Sequence, residues 1–363
     1  MRAGQVVVGV LLVLALLLAA CGQAAPAAPT PAPAAPTKAP AAQSTAAAKV
    51  EYPALSFKLG QPFNPDHVFS QGMQKFADLM MDKSGGKIKV ESFHSGSLVQ
   101  GKTELDAIEK GVVDFGSVVP VYHAGELPFL DEITIYQLLY NYSSMRLLFK
   151  KARPQIEQEL AKQKVKLLAA YPFTMGFFFK KAIDKMNPDF SGIKMRSPGG
   201  ATTYIVRHFG ASTVEMPSPD IPVALRTGVM QGLSTSMSSW DTLGIMEDVP
   251  FAYYGDYTAG ASFMAMRQDK YASLPPAVQQ LIDQAADESE TWAYPNDQKQ
   301  VEAIVKKAQG NPKLQVNKLT QDEVNAWRAK LKPVFDDFAK RHGDKGAQFL
   351  KFAEEALAET AKR

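Results

Sequence analysis

The sequence predicts an α/β protein built as two similar lobes, and three observations carry that expectation. From Val50 onward short apolar strands alternate with amphipathic helices, the pattern of a mainly parallel sheet covered on both faces. A unit made of a helix end, a glycine cap and a strand occurs twice, at Ala107–Gly116 and again at Ala224–Gly232. Before Val50 the composition changes in kind, which sets a processing and tether region apart from the folded chain.

Taken in order, Leu55-Ser-Phe-Lys-Leu59 alternates as a strand and Gly60–Asn64 turns. Asn64 then suits a helix N-cap, with Pro65 at the first helical position. Val68, Met73, Phe76, Leu79 and Met80 fall at helical spacing, and Ser84-Gly85-Gly86 stops the helix. Lys87–Phe93 is the next strand, Thr103-x-x-Asp106 opens a second helix ended by Gly111, and Val112–Val119 reads as a buried strand. Helices are predicted over Asp131–Tyr142 and Ser143–Lys162, and strands over Val165–Tyr171 and Gly176–Lys180. Phe177-Phe178-Phe179 fits a doubly buried strand better than a binding box. Residues 251–266, rich in Tyr, Phe and Ala, return the chain to the first sheet. The last hundred residues read as helices, with Thr320-x-x-Glu323 as a capping box.

The N-terminus has the grammar of export. Arg2 gives a short positive region, Val6–Ala20 is apolar, and the run is too short for a membrane span of ~20 residues. Leu18-Ala19-Ala20-Cys21 is similar to a bacterial lipobox, in which Cys21 is lipidated; the alternative is an ordinary signal peptide with an incidental cysteine. Cys21 is the single cysteine, so an intramolecular disulfide is excluded. Residues 22–49 are almost only Ala, Pro, Thr, Gln and Ser. Such a stretch tends to polyproline II and reaches roughly 80 Å at ~3.1 Å per residue.

Net charge is +3 and no Lys/Arg block carries interleaved aromatics, which argues against a nucleic-acid partner. Phosphate-loop, dinucleotide-fingerprint, zinc-helix and nucleophile-elbow motifs are missing. The five histidines, 67, 94, 123, 208 and 342, lack metal-ligand spacing, so neither cofactor nor metal is expected. An enzyme is not expected either; the rival that remains is an exported hydrolase with a Ser-His-Asp triad assembled from distant residues.

The stretch Ile193–Trp240 is the best candidate for chemistry. A short strand ending on Arg196, a Pro198-Gly199-Gly200 turn and a helix make a plausible anion seat: a guanidinium fork beside the free N–H groups of a helix start. The competing reading of Arg196 is a structural salt bridge between lobes.

Over about residues 52–345 the chain resembles the DctP-type substrate-binding proteins of TRAP (tripartite ATP-independent periplasmic) transporters. The resemblance rests on Lys58-Leu-Gly with Asn64-Pro65-x-His67, on Ser84-Gly-Gly-Lys-Ile-Lys-Val90, and on Phe93-x-Ser95-Gly96-x-Leu98. It continues in Gly111-Val-Val-Asp114-Phe-Gly116, Leu127-Pro128-Phe129-Leu130, Gly192-Ile-Lys-Met-Arg196-x-Pro198, Met216-Pro217 and Ala224–Gly232. It implies a two-lobed periplasmic binding protein fold, with two mostly parallel sheets, a cleft between lobes and C-terminal helices. It also implies no enzyme activity, capture of a small organic acid by lobe closure, and delivery to membrane permease subunits. Arg196 stands at the family's carboxylate clamp.

The departures shape the expected solute. The strand where many members carry a further basic residue reads Phe177-Phe178-Phe179, and the family's frequent Asp at Gln231 and Asn near Thr235 are replaced. The cleft is therefore expected to draw on Tyr122, Tyr171, Phe173, Phe178 and Trp240, with hydroxyls from Ser234, Thr235 and Ser236. That set suits a monocarboxylate with an apolar or aromatic body. The expected organisation is a signal peptide at 1–20, a lipidated linker at 21–49, lobe 1 at 50–172 with about 256–285, and lobe 2 at 173–255 with helices at about 286–363. The expected place is the periplasm or cell exterior, anchored by Cys21; a related role is sensing without transport.

Overall fold

A computed structural model describes residues 50–135 and 142–361. Residues 1–49, which hold the expected signal peptide, Cys21 and linker, lie outside the described residues, as does the 136–141 part of the first expected central helix. Val50–Arg363 forms one compact unit. Among the described residues no helix is long and apolar enough to cross a membrane.

The chain opens with β1 (Leu55–Gly60), α1 (Val68–Lys83), β2 (Ile88–Phe93), α2 (Glu104–Glu109) and β3 (Phe115–Val118). Next come α3 (Pro128–Ile135), α4 (Tyr142–Lys162), β4 (Val165–Phe179), β5 (Lys194–Ser197), α5 (Gly200–His208), β6 (Ser212–Glu215), α6 (Ile221–Arg226), β7 (Gly232–Ser236) and α7 (Met237–Thr242). It closes with β8 (Phe251–Arg267), α8 (Gln268–Ser273), α9 (Pro276–Gln309), β9 (Gln315–Lys318) and α10 (Gln321–Thr360).

The two expected parallel sheets are present as two parallel triplets, β2-β1-β3 and β7-β5-β6. Long antiparallel strands β8 and β4 lie between them and join all into one hydrogen-bonded sheet in the order β2-β1-β3-β8-β4-β7-β5-β6, with β9 on β8. The repeated sequence unit is a repeated structural one. α2 runs through Gly111 into β3 and α6 through Gly228 into β7, and both glycines take left-handed φ values, +71° and +75°. Each unit thus delivers a strand beside the first strand of its own triplet.

Where the sequence predicts two strands at Val165–Tyr171 and Gly176–Lys180, the chain runs as one, β4. Register slips between Leu167 and Ala169 and between Thr174 and Gly176 absorb the break in pattern without ending the ladder. The helix after Asn64 starts three residues later than its Asn-Pro signal suggests. His67 is the N-cap of α1, and Asn64 accepts instead from the His67 N–H. The capping box at Thr320 and Glu323 forms as its spacing predicts.

Three apolar cores hold the frame. One packs α1 and the start of α9 against β1, β3 and β4 through Phe69, Phe76, Phe115 and Tyr171. A second sits beneath α6 and α7 around Phe178 and Trp240, whose rings stack 5.1 Å apart. The largest gathers α4, α5 and α10 around Phe190, Trp327 and Phe338.

Candidate functional site

Both parallel triplets end their strands on one pocket, as expected for open α/β sheets. It holds about 530 Å3 of empty space, counting the part that opens to solvent. The β1–α1 turn lends Phe63 and His67, and the chain after β3 lends Val119, Pro120, Val121 and Tyr122. From the middle of β4 come Phe173 and Met175; from the second triplet come Arg196, Pro198, Thr202, Ser218, Thr235, Ser236 and Ser239. Thr134 and Ala261 complete the lining.

Among the described residues, Arg196 is the only charged side chain lining the pocket. It is 1% exposed, in the centre of the second triplet, yet no carboxylate pairs with it among the described residues. The guanidinium is steered by backbone: Nε donates to Met216 O at 2.9 Å and Nη1 to Ser234 O at 2.7 Å. Nη2 is buried and has no hydrogen-bond partner among the described residues. Burial pulls the Arg196 pKa down, while the nearby Tyr122 and the Asp220 carboxylate oppose the shift. A guanidinium stays protonated regardless. A buried donor without a partner costs ~1–3 kcal/mol or more when it belongs to a charged group, and an anion in the pocket would remove that cost.

The rest of the polar lining divides into spent and unspent valences. His67 Nδ1 accepts the Phe69 N–H at 3.2 Å, so the neutral ring carries its proton on Nε2 and donates to Ser236 Oγ at 2.9 Å. Burial alone pushes the His67 pKa down to about 3. Ser236 Oγ also accepts the Ser239 N–H at 3.0 Å and donates to Ser239 Oγ at 2.9 Å. Its two acceptor sites and one donor are used. Tyr122 and Ser218 bond each other, 3.3 Å between hydroxyl oxygens. Thr235 and Thr202 line the pocket with hydroxyls that bond nothing among the described residues. The His67–Ser236 pair is not a hydrolytic dyad, since a ring already protonated on the serine side cannot accept the serine proton.

Of the residues expected from sequence, the pocket collects Arg196, Tyr122, Phe173, Thr235 and Ser236. Four others lie elsewhere. Tyr171 is fully buried in the first core, its hydroxyl 2.8 Å from Ser289 Oγ. Phe178 and Trp240 are core partners, and the indole N–H donates to Val249 O. Ser234 contributes its carbonyl to Arg196 and not its hydroxyl to the pocket. Phe178 falls on the opposite side of β4 from Phe173 and Met175, whereas Tyr171 shares their side but lies nearer the start of the strand, where Phe69 of α1 and Ser289 of α9 cover it. The expected anion seat at the start of α5 is also corrected, because Asp131 fills it. Its Oδ2 accepts the Ala201 N–H at 2.9 Å, and the carboxylate sits where a Gly200 side chain would have to be. Phe63, His67, Val119 to Val121, Met175 and Thr202 were not singled out. The turn after β1 and the chain after β3 are strand ends, and strand ends were the available signal.

The family profile of bacterial extracellular solute-binding proteins, family 7, matches residues 59–342. The C4-dicarboxylate-binding periplasmic protein DctP of Rhodobacter capsulatus is 24% identical over 300 residues, covering 80% of this chain and 90% of that protein. The extracytoplasmic solute receptor DctP7 of Bordetella pertussis, which binds pyroglutamic acid, superposes with a TM-score of 0.76 at 22% identity, over 82% of this chain and 99% of that one. A TRAP solute-binding protein of Rhodoferax ferrireducens in complex with copurified benzoate gives a TM-score of 0.75 at 24% identity, over 85% and 98%.

Proposed function

The chain belongs to the bacterial extracellular solute-binding proteins of family 7, the DctP receptors of TRAP transporters, and we propose that it captures a small monocarboxylate with an apolar or aromatic body. Such proteins bind solutes and are not enzymes. The observation that carries the proposal is Arg196: a buried cation, steered by the Met216 and Ser234 carbonyls, with Nη2 unspent among the described residues beside a pocket that no described carboxylate lines.

The acid's charge pairs with Arg196, and Thr235 and Thr202 offer hydroxyls to its second oxygen or to a neighbouring substituent. Phe63, Val119, Val121, Phe173 and Met175 shield the body. An ammonium group finds no counter-charge in this lining, so an amino acid is a poor fit; a second carboxylate finds no second cation, so a dicarboxylate is too. Capture proceeds by closure of the two triplet-bearing lobes on the solute, and the closed receptor then docks on the membrane permease, held near the membrane through Cys21.

Calorimetric titration of the full chain with benzoate, pyroglutamate, malonate and ectoine tests the reading. One-to-one heat with a monocarboxylate is expected, far weaker heat with malonate, and none with Arg196→Ala. Unchanged affinity in Arg196→Ala, or chemical turnover of the acid, would overturn it.

A further inference from the structure

We infer that His67 is a positioning residue for solute retention, the bolt that fastens the β1–α1 turn to the start of α7 across the pocket; the inference rests on the solute-capture reading above. The imidazole has two fixed jobs. Nδ1 caps α1 by accepting the Phe69 N–H, which places the proton on Nε2, and Nε2 reaches Ser236, the N-cap of α7. One ring thus caps one helix and braces the cap of another. Stacking holds it in plane, since the Phe63 ring lies 4.2 Å away at 13°.

The same seam carries two further bonds. Asn64 Nδ2 donates to Thr242 O at 3.3 Å, and the Val68 N–H donates to Ser238 Oγ at 3.3 Å. Both are weaker by length than the 2.9 Å His67–Ser236 contact. His67 is 2% exposed and lines the pocket, so separating the seam would open the pocket wall. Closing the seam and retaining the solute are then one event.

The bolt works only with a neutral ring. A proton added at Nδ1 would set two donors, Nδ1–H and the Phe69 N–H, against each other. The groups around the ring do not offset that: α7 presents Ser236, Ser238 and Ser239, the turn presents Phe63 and Asn64, and the charged side chain lining the same pocket is Arg196. Asp66, next in the chain, is directed to α1 and α9 through its carbonyl, which accepts from Gln71 and Gln300. Burial lowers the pKa of the ring to about 3, so the bolt stays fastened throughout the range in which the acid is ionised.

The test is a release-rate cycle on the full chain loaded with benzoate or pyroglutamate, read by stopped-flow tryptophan fluorescence. His67→Asn keeps a helix-capping side chain and loses the reach to Ser236. Expected is release roughly three- to tenfold faster in His67→Asn and in Ser236→Ala, with the double variant no faster than the worse single one. Between pH 7 and 5.5 release from the wild type stays constant, because burial keeps the ring neutral there, and a marked acceleration over that range would overturn the neutral-ring bolt. Unchanged release in His67→Asn, or additive effects in the double variant, would overturn the bolt. If neither acid binds the wild type, the capture reading fails on its own, and ring 15N resonances still decide the bolt. An Nε2–H tautomer for His67 upholds it and an Nδ1–H tautomer overturns it.

Discussion

The two triplet ends that meet at the pocket are built alike and equipped differently. The β2-β1-β3 side supplies mostly apolar wall, Phe63, Val119, Pro120 and Val121, with His67 held neutral and Tyr122 turned to Ser218. The β7-β5-β6 side supplies the charge and the hydroxyls, Arg196, Thr202, Ser218, Thr235, Ser236 and Ser239. The same backbone unit, helix then glycine then strand, serves both. What differs is which residues follow the strand, and the lesson is that a repeated frame leaves its strand ends free to divide the work of recognition.

That division can be broken from either side. The largest effect is expected on the charged side. Arg196→Lys keeps a cation, but one ammonium cannot serve the Met216 and Ser234 carbonyls and an acid together. Affinity for benzoate is expected to fall by about 3 kcal/mol, roughly a hundredfold in Kd by calorimetry. Next, Val121→Asp puts a carboxylate into the apolar wall and should cost about 2 kcal/mol of binding through like-charge repulsion, an effect reduced by adding salt only in part. An unchanged Kd there would show that the wall is not in contact with the solute.

Smaller effects sharpen the comparison. Thr235→Val removes a free hydroxyl from the polar side and should weaken binding by about 1 kcal/mol, with the melting temperature held. Tyr171→Phe should do the reverse, costing about 1 kcal/mol of stability through the lost bond to Ser289 while Kd stays constant. Should the Tyr171 change alter Kd and not stability, its place in the core would be wrong.

A pH effect on stability comes from two buried acids outside the pocket lining. Burial raises Asp131 to about 7 and Asp297 to about 7, even though Asp131 accepts from Ala201 and Asp297 from Thr174. For a carboxyl raised in the folded state, the stabilisation is complete below its unfolded value of ~4 and is lost as pH rises through the folded value. The melting temperature should therefore fall from about pH 4 to about pH 7 through these two groups, and Asp297→Asn should flatten part of that slope in a pH series of thermal melts.

Much of the frame was legible because it follows from local rules. Alternation gave the strands, glycines with left-handed φ closed the helix ends, and the duplicated segment announced two like units. The expected export signal, the missing catalytic motifs and an arginine at a strand end pointed to a binder of acids. The joining of two triplets through β4 and β8 was implied by the family resemblance but not legible in residue pattern, because a strand that crosses from one partner set to another keeps no single pattern of burial. Tyr171, Phe178 and Trp240 show the same limit. Their chemistry suits a ligand as well as it suits a core, and only what the fold packs against each one settles the matter.

By itself, then, the sequence determined the class of fold, its duplication and the candidate anion-binding arginine, since these are written in spacing and residue type. The tertiary structure alone decided which valences remain unspent. Asp131 comes from 70 positions away to occupy the start of α5, and His67 from 169 away to saturate Ser236, while nothing among the described residues comes to Arg196 Nη2. Hydrogen-bond capacity is consumed by whatever the fold brings near, and that is a property of distance in space and not of order along the chain.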